Sequence, residues 1–387
     1  MPFAQRRPLP QPEPAQALFA GRERELGLYR LHFHRPADHP EVRLITMVSG
    51  PGGVGKTRLL DELEGYQPLS TIYSRLNNTA QFGFEATSLL WAIADGLHRA
   101  GESIPTPTFD RLYQRRYELL ERALTRRIDH KTLISQFYRV ALLGLEGPAG
   151  VPKLNQFTDL RWPERDLNLV FGDPIGLLTE ALVEDLNQAV LAGAEPAPLD
   201  EARATALAPA TGKIVLIFDD FDLLHPAART WLLTHLLDQT RPRINCDLRL
   251  IIAGRANLLA TDERWLNAWA DVILPLPLQP FDTFELADFI CKNSSLTGAT
   301  AVQRLAEATG SLPLWLNLWR LAGAPADLDP DADLVQLLPA EQRGWLEAAA
   351  TLGTFDQSYL AKLIGPDQAR TAFDWLTAQP ALVRTED

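Results

Sequence analysis

Cysteine is scarce in this chain of 387 residues, which contains two, Cys246 and Cys291. Their positions match neither the ligand spacing of a zinc site nor a disulfide framework, so we expect both thiols to be buried as small apolar groups. No apolar run approaches the roughly 20 residues that a membrane-spanning helix needs. The N-terminus also lacks an apolar signal segment. These absences favour a cytoplasmic protein in a reducing compartment, with no membrane partner.

The chain has fewer positively charged residues than negatively charged ones. Lysine and arginine number 37 against 49 aspartate and glutamate residues, which gives a formal net charge of -12 at pH 7. This balance disfavours non-specific binding of nucleic acid by the chain as a whole. With 46% hydrophobic and 22% charged residues, the sequence predicts a folded protein of two or three domains.

Short apolar runs alternate with helical patterns over the first 280 residues. The runs that predict buried parallel strands are 42–48, 70–76, 213–220, 248–255 and 272–278. Such alternation predicts an α/β protein with a three-layer parallel sheet. Residues 84–194 have a helical pattern and form a helical insertion in this interpretation, and 195–212 form a loop. Beyond Asp282 the pattern is helical throughout.

One helix of the insertion has two distinct predicted faces. An apolar face contains Tyr113, Tyr117, Leu120, Leu124 and Ile128. The opposite face carries four arginines, which are Arg111, Arg115, Arg122 and Arg126. An anionic partner is one interpretation of these arginines. We favour a solvated face, because Glu118 and Arg122 have the spacing of an i,i+4 ion pair.

A complete Walker A motif follows the first strand and precedes a helix. Its glycines let the backbone wrap around phosphate, and the helix N-terminus adds partial positive charge. Lys56 is expected to contact the β- and γ-phosphates, and the hydroxyl of Thr57 is expected to bind Mg²⁺. The residues that we expect to contact the nucleotide here are Gly50, Pro51, Gly52, Gly53, Val54, Gly55, Lys56, Thr57 and Arg58.

Charged residues follow two further strands. Asp219 and Asp220 end the apolar run 213–220, and we expect Asp219 to hold Mg²⁺ through water. Asp220 is the candidate that orients or deprotonates the attacking water, with Asp222 as its competitor. Arg255 ends the next strand at the same edge of the sheet and is a candidate for sensing or stabilising γ-phosphate charge.

These landmarks, in this order, resemble the STAND class of P-loop ATPases, which includes the NB-ARC, NACHT and MalT-like proteins and is related to AAA+ ATPases. The resemblance covers residues 19–387. Residues 19–25 are similar to the Gly-Arg-Glu motif of the class, 217–220 to its acidic Walker B, 252–255 to its sensor arginine and 310–314 to its Gly-Leu-Pro-Leu motif. The resemblance implies that Gly21, Arg22 and Pro313 lie near the adenine base.

The resemblance also implies a domain order. We expect a Pro-rich arm at 1–18, a P-loop core at 19–280, a helical lid at 281–330 and a winged-helix-like domain at 331–387, which we expect to be incomplete, with Leu382, Val383 and Arg384 entering its wing. The resemblance implies slow, Mg²⁺-dependent hydrolysis of ATP. It also implies a nucleotide-dependent switch that ADP holds in the closed state. The implied partners are ATP and ADP, further copies of the chain in the ATP state, and a protein trigger or effector in bacterial regulation or defence.

Two other functions remain open on the sequence. An AAA+ ATPase of the origin-recognition type, associated with DNA, shares the Gly-Arg-Glu start and can carry a winged helix, although the Gly310–Leu314 motif and the net charge of -12 count against it. The third candidate is a scaffold that binds nucleotide without turnover. Intact Lys56, Thr57, Asp219 and Asp220 argue against lost chemistry, but not against very slow chemistry.

Overall fold

The computed structural model describes residues 19–66, 71–76, 86–99, 104–125, 163–192, 213–238, 244, 246–329, 333–352 and 355–379. The segments interpreted above that lie outside these residues include the Pro-rich arm 1–18, residues 126–162 of the predicted insertion, the loop 195–212 and the start of the wing at 382–384. None of the described helices is long and apolar enough to cross a membrane.

Five strands form one parallel sheet: β1 (Ile45–Ser49), β2 (Thr71–Leu76), β3 (Lys213–Phe218), β4 (Asp247–Gly254) and β5 (Ile273–Pro277). Their order in the sheet is β2-β3-β4-β1-β5. Every residue of β1 is buried, as are five of the six residues of β3, because helices cover both faces of a parallel sheet. The predicted α/β parallel sheet is confirmed, with each strand within three residues of its expected bounds.

The helices around the sheet include α1 (Glu23–His34), α2 (Lys56–Gly65), α3 (Ala86–Arg99), α4 (Pro107–Thr125), α5 (Glu164–Leu167) and α6 (Pro174–Ala192). A π-helical turn, Asn168–Gly172, joins α5 to α6. After β3 come α7 (Pro226–Trp231) with the π-helical turn Leu232–Leu236, and after β4 come α8 (Leu258–Thr261) and α9 (Glu263–Trp269). Short 3₁₀ turns occupy Phe221–Leu223 and Ala270–Val272.

The described part of the insertion is helical, and the predicted apolar face of α4 is confirmed in part. Tyr113 and Leu120 pack against apolar clusters, whereas Tyr117, placed on the same face by the sequence pattern, is exposed, and the buried residues of α4 include Phe109 and Leu119. Arg115 donates to Asp166 at 2.6 Å, so it is paired with another helix and does not belong to a purely solvated face. The side chains of Arg122 and of the residues that follow it lie outside the description.

Residues after β5 are helical. They form α10 (Thr283–Asn293), α11 (Ala299–Thr309), α12 (Pro313–Leu321), a 3₁₀ turn at Leu334–Leu337, α13 (Ala340–Leu352), α14 (Gln357–Ile364) and α15 (Pro366–Thr377). One apolar cluster joins α10, α11 and α12 with Ala20, and a second joins α13, α14 and α15. Cys246 is buried as expected, but Cys291 on α10 is exposed, so the prediction that both thiols are buried is wrong for Cys291.

The chain divides into two compact units. The sheet unit contains Tyr29–Ser49 and Leu60–Leu276, and the loop unit contains Met1–Leu28, Gly50–Leu59 and Pro277–Asp387, each to the extent that the structure describes it. The Walker loop therefore belongs to the same unit as the helices after β5. The core of the sheet unit packs the sheet against α3, α6 and α7.

Candidate nucleotide-binding site

The Walker loop runs from Gly50, after the end of β1, to the start of α2 at Lys56. The Lys56 ammonium folds back over the loop, where Nζ donates to the carbonyls of Gly50 at 2.8 Å and Pro51 at 3.0 Å. Thr57 is the second residue of α2, so its backbone N–H is one of the helix donors that no residue of the helix itself accepts. A backbone wrapped in this way, ending in a helix N-terminus, is suited to an anion.

Two positions of the loop require glycine, because neighbouring atoms lie too close for a Cβ atom. A Cβ atom on Gly50 would lie 2.7 Å from the carbonyl oxygen of Leu278, which is backbone and has little freedom to move. Gly53 has φ +79°, in the left-handed region, and a Cβ atom there would lie 2.9 Å from Cβ of Leu314. The loop therefore packs tightly against the chain that follows β5 and against the start of α12.

Helix α12 begins directly on the Walker loop. Pro313 occupies its first position, where the missing N–H has no consequence, and the Leu314 N–H donates to the carbonyl of Gly53 at 3.1 Å. A Cβ atom on Gly55 would lie 3.8 Å from Cγ of Pro313, an ordinary van der Waals contact. The structure thus brings Pro313 to the Walker loop.

Gly21 and Arg22 form a small concavity of backbone N–H groups just before α1. Both have positive φ, +70° and +68°, and their N–H groups donate to Asp288 at 3.1 Å and Glu285 at 3.0 Å. Desolvation of Asp288 acts to raise the pKa of its carboxyl. The hydrogen bonds from Lys292 and from the Gly21 N–H outweigh it, and the pKa lies below its usual value.

The Arg22 side chain ties the Walker loop to the chain after β5. Its Nη2 donates to the carbonyls of Val54 at 3.1 Å and Gln279 at 2.7 Å, and the guanidinium lies 4.9 Å from the centroid of the Phe281 ring. The family motif predicts that Arg22 contacts the base. In the structure its side chain donates to one carbonyl of the Walker loop and to one carbonyl of the segment after β5. Arg58 lies farther along α2, with its guanidinium 5.8 Å from the Phe19 ring centroid.

In the sheet unit, Asp219 follows β3 and is fully buried, with 0% of its surface exposed. Its Oδ1 accepts the N–H of Asp220 at 2.9 Å, and its Oδ2 accepts Nη2 of Arg75 at 3.1 Å. Nη1 of Arg75 also donates to Asp61 at 2.6 Å and to Glu64 at 3.1 Å. Burial acts to lower the pKa of Arg75. The hydrogen bond to Asp61 and the charges of Asp61, Asp219 and Glu64 raise it on balance, so the guanidinium stays charged.

Sequence reasoning missed Arg75. The signal was present, because Arg75 is the penultimate residue of a partly buried strand, and an arginine there needs a partner. Asp61 and Glu64 are spaced i,i+3 on α2, so they share one face of that helix. These three residues join Asp219 at the carboxyl edge of the sheet.

Asp220 and Asp222 have different surroundings. Asp220 has φ +51°, a strained conformation for a residue with a side chain, which is typical of functional turns. Asp222 accepts the backbone N–H of Arg255 at 2.8 Å through Oδ1, so it connects the turn after β3 to the end of β4. The Arg255 side chain itself is 75% exposed, with Nε 3.9 Å from Asp222 Oδ2.

The residues predicted to hold Mg²⁺ have the chemistry that this ion prefers, since Thr57 offers a hydroxyl and Asp219 a carboxylate. Within the described residues, no group of three or more histidine, cysteine, aspartate or glutamate side chains forms a metal cage. Mg²⁺ at nucleotide sites takes most of its ligands from water and phosphate, so one carboxylate and one hydroxyl are a fitting protein contribution.

No protein-family model matches the sequence, and a comparison with curated protein sequences gives no match either. Solved structures similar to the chain include a signal-transduction ATPase of the STAND class with a tetratricopeptide-repeat sensor, from Pyrococcus horikoshii. It has a TM-score of 0.47 and 14% identity over 92% of this chain, which spans 39% of the length of that protein.

Two further similar structures are the ORC2 protein of Aeropyrum pernix in ADPNP–ADP complexes and a Walker-type ATPase of Pyrococcus abyssi. The first has a TM-score of 0.40 and 13% identity over 92% of this chain and 85% of its own. The second has a TM-score of 0.44 and 13% identity over 94% and 93%. All three TM-scores are below 0.5, so the fold class and the site rest on this chain's own sheet and Walker loop.

Proposed function

We propose that this chain is an ATP- and ADP-binding ATPase that acts as a nucleotide-dependent switch. The observation that supports it most is the contact between the Walker loop and α12, made by the Leu314 N–H and the Gly53 carbonyl at 3.1 Å. Because the loop is the predicted phosphate site, a nucleotide on it would alter the surroundings of a helix that belongs to the predicted lid. A ligand shifts a conformational equilibrium through its different affinity for two states.

The chemistry that we propose assigns one role to each charged residue. Lys56, which now donates to two loop carbonyls, would turn its ammonium to the β- and γ-phosphates. Mg²⁺, when bound, neutralises phosphate charge, and Thr57 and Asp219 are its proposed protein ligands. Asp220 would orient the attacking water, with Asp222 as the alternative, and the exposed Arg255 would respond to γ-phosphate charge. Hydrolysis would be slow and would reset the switch.

Pro313 is the residue through which we expect the base and the lid to be coupled. ADP places no γ-phosphate charge near Arg255, so we expect it to favour the closed arrangement, in which Pro313 packs on the base. ATP would favour release and self-association. The activating signal would come from a protein partner, and the chain with ADP would be a compact monomer.

The test compares the release of ADP and ATP from the wild-type chain and from Pro313→Ala. We expect the variant to release ADP faster by a larger factor than ATP. Pro366→Ala is the matched control, because Pro366 also begins a helix of the loop unit and is exposed. If the variant released ADP and ATP faster by the same factor, Pro313 would only pack on the base. If the release of both nucleotides were unchanged, the coupling of base and lid through Pro313 would be refuted.

The other functions left open by the sequence give different results in solution. Stimulation of ATP hydrolysis by DNA would favour an origin-recognition type of ATPase. Binding of ATP without hydrolysis in a single-turnover assay would favour a scaffold. Displacement of labelled ATP by GTP as readily as by ADP would contradict the adenine preference that we propose.

A further inference from the structure

Two consecutive peptide groups of the Walker loop are held by donors outside the loop. The carbonyl of Gly53 accepts the Leu314 N–H at 3.1 Å. The carbonyl of Val54 accepts Nη2 of Arg22, also at 3.1 Å. Because the C=O and N–H of a trans peptide group point in opposite directions, the Val54 N–H points away from Leu314, and the Gly55 N–H points away from Arg22. Backbone N–H groups turned to one side of a loop are suited to bind phosphate.

Arg22 is placed for this contact by its own surroundings, all of them in the loop unit. It is 4% exposed, its Nη2 also donates to the Gln279 carbonyl at 2.7 Å, and its guanidinium lies 4.9 Å from the centroid of the Phe281 ring. Its φ of +68° costs free energy in a residue with a side chain, so the conformation persists because neighbouring groups hold it. The guanidinium is therefore directed to the Val54 carbonyl by a fixed backbone and a buried side chain.

Glu285 of α10 holds Arg22 at both its backbone and its side chain. Oε1 accepts the Arg22 N–H at 3.0 Å and lies 3.6 Å from Nη1, in an ion pair whose side chains are 5% and 17% exposed. Oε2 accepts the N–H of Asp282 at 3.0 Å and completes the capping box at the start of α10. Both carboxylate oxygens are engaged, so Glu285 fixes Arg22 relative to the start of α10.

We propose that Arg22 is a positioning residue for the phosphates of the nucleotide, held in place by Glu285, and not the base contact that the family motif predicts. This inference rests on the proposed function, in which the Walker loop binds those phosphates. By holding the Val54 carbonyl, Arg22 keeps the Gly55 N–H directed to the bound phosphate. The ion pair with Glu285 makes the phosphate affinity of the loop depend on α10, whereas recognition of the base does not depend on it.

The test separates the phosphates from the base by the choice of ligand. Calorimetry titrates wild type and Arg22→Met with ADP, with GDP and with inorganic pyrophosphate. Methionine keeps an unbranched apolar side chain but removes the guanidinium. We expect the affinity for all three ligands to fall by the same factor, about tenfold, which is the order expected for the loss of one hydrogen bond from a charged donor. The ratio of the ADP and GDP affinities should equal that of wild type.

Glu285→Gln keeps the test decisive if Arg22→Met fails to fold. The amide oxygen still accepts the Arg22 N–H, but the charge that holds the guanidinium is gone. The affinities for the three ligands should fall together by about threefold, the order expected for one lost ion pair. Unchanged affinity for pyrophosphate in this variant would contradict the role of Glu285.

Two variants of the same unit are the matched controls. Arg304→Met removes an arginine that is paired with Asp327 at 2.7 Å, and Glu307→Gln removes a carboxylate that accepts from Gln303 at 2.9 Å. Each loses the same charge as the corresponding test variant without a contact to Arg22 or to the Walker loop. Both should bind ADP, GDP and pyrophosphate as wild type does.

A base contact gives the opposite division between the ligands. If Arg22→Met bound pyrophosphate as wild type does while its preference for ADP over GDP was lost, the inference would be overturned. A merely structural role would lower the melting temperature and leave the pyrophosphate affinity of the folded variant unchanged, which would overturn it as well. Failure of the proposed function is a separate result, because wild type itself would then bind neither ADP nor pyrophosphate, and the inference would fall with it.

Discussion

An ion cluster lies at each end of the sheet, and the two clusters differ in composition: one joins two cations to one carboxylate, and the other joins one cation to three carboxylates. At the amino edge, Asp247 accepts hydrogen bonds from Lys213 and Arg249, each at 2.5 Å, so one carboxylate serves two cations. Arg249 also donates to the carbonyls of Arg35 at 2.8 Å and His32 at 3.4 Å. At the carboxyl edge, Arg75 serves three carboxylates.

The two clusters differ in what else contacts their charged groups. At the amino edge, Arg249 also contacts backbone carbonyls. At the carboxyl edge, one of the three carboxylates that Arg75 contacts is Asp219, our proposed Mg²⁺ ligand. Parallel strands place their functional side chains at the carboxyl ends, in agreement with this contrast.

The largest expected effect is a loss of stability when the ion cluster at the amino edge is disrupted. Asp247→Asn leaves the buried Arg249 and the partly buried Lys213 without their carboxylate, so the free energy of unfolding should fall by about 3 kcal/mol. Urea unfolding measures it, and nucleotide affinity of the folded variant should equal that of wild type. If Asp247→Asn lowered the affinity for nucleotide and left stability unchanged, the amino edge would have the functional role and the carboxyl edge the structural one.

At the carboxyl edge the pattern should be the opposite. Asp219→Asn leaves Arg75 with Asp61 and Glu64, so stability should change little, whereas Mg²⁺-dependent hydrolysis should fall by about 100-fold, the upper range for the loss of a group that supports a metal. Single-turnover hydrolysis at saturating Mg²⁺ and ATP measures it. A stability loss as large as that of Asp247→Asn, with hydrolysis intact, would make this edge structural as well.

The pH dependence of the unfolding free energy is a second test of the ion pairs of Asp247. Burial acts to raise its pKa, but the hydrogen bonds and charges of Arg249 and Lys213 lower it on balance. A lowered pKa in the folded state adds stability that is complete above the unfolded pKa of about 3.9 and is lost as pH falls through the folded value. The difference in unfolding free energy between wild type and Asp247→Asn should therefore shrink on acidification below about pH 4. A difference that grows would contradict the ion pairing.

The smallest expected effect is at Asp222. In Asp222→Asn the amide oxygen still accepts the Arg255 N–H, so stability should fall by about 1 kcal/mol or less. Hydrolysis should remain within a few-fold of wild type, whereas Asp220→Asn should bind ATP without hydrolysing it. If Asp222→Asn blocks hydrolysis and Asp220→Asn does not, the two roles are exchanged.

Features encoded by consecutive residues were predictable from the sequence. The strands, the Walker loop and the helical region after β5 follow from local apolar runs, glycine spacing and helical periodicity. The face that α4 buries was predicted only in part, because Tyr113 and Leu120 pack against apolar clusters while Tyr117 on the same predicted face is exposed. Which face a helix buries depends on what it packs against, and periodicity alone carries little of that information.

Features encoded by distant residues were not predictable. Arg75 meets Asp61 and Asp219, which are 14 and 144 residues away in sequence. Gly21 and Arg22 donate to Asp288 and Glu285 over separations of 267 and 263 residues. Without the register of β2 against β3 and the fold of the chain after β5, no local pattern links these partners.

The central claim is that the Walker loop binds nucleotide phosphate, and Lys56→Ala tests it most directly. Lys56 Nζ donates to the carbonyls of the adjacent residues Gly50 and Pro51, and in Lys56→Ala the phosphate charge of a bound nucleotide would go uncompensated. Calorimetric titration with ADP and with ATP should show tight binding by wild type and none by the variant. Equal affinity of the two proteins for both nucleotides would contradict the account.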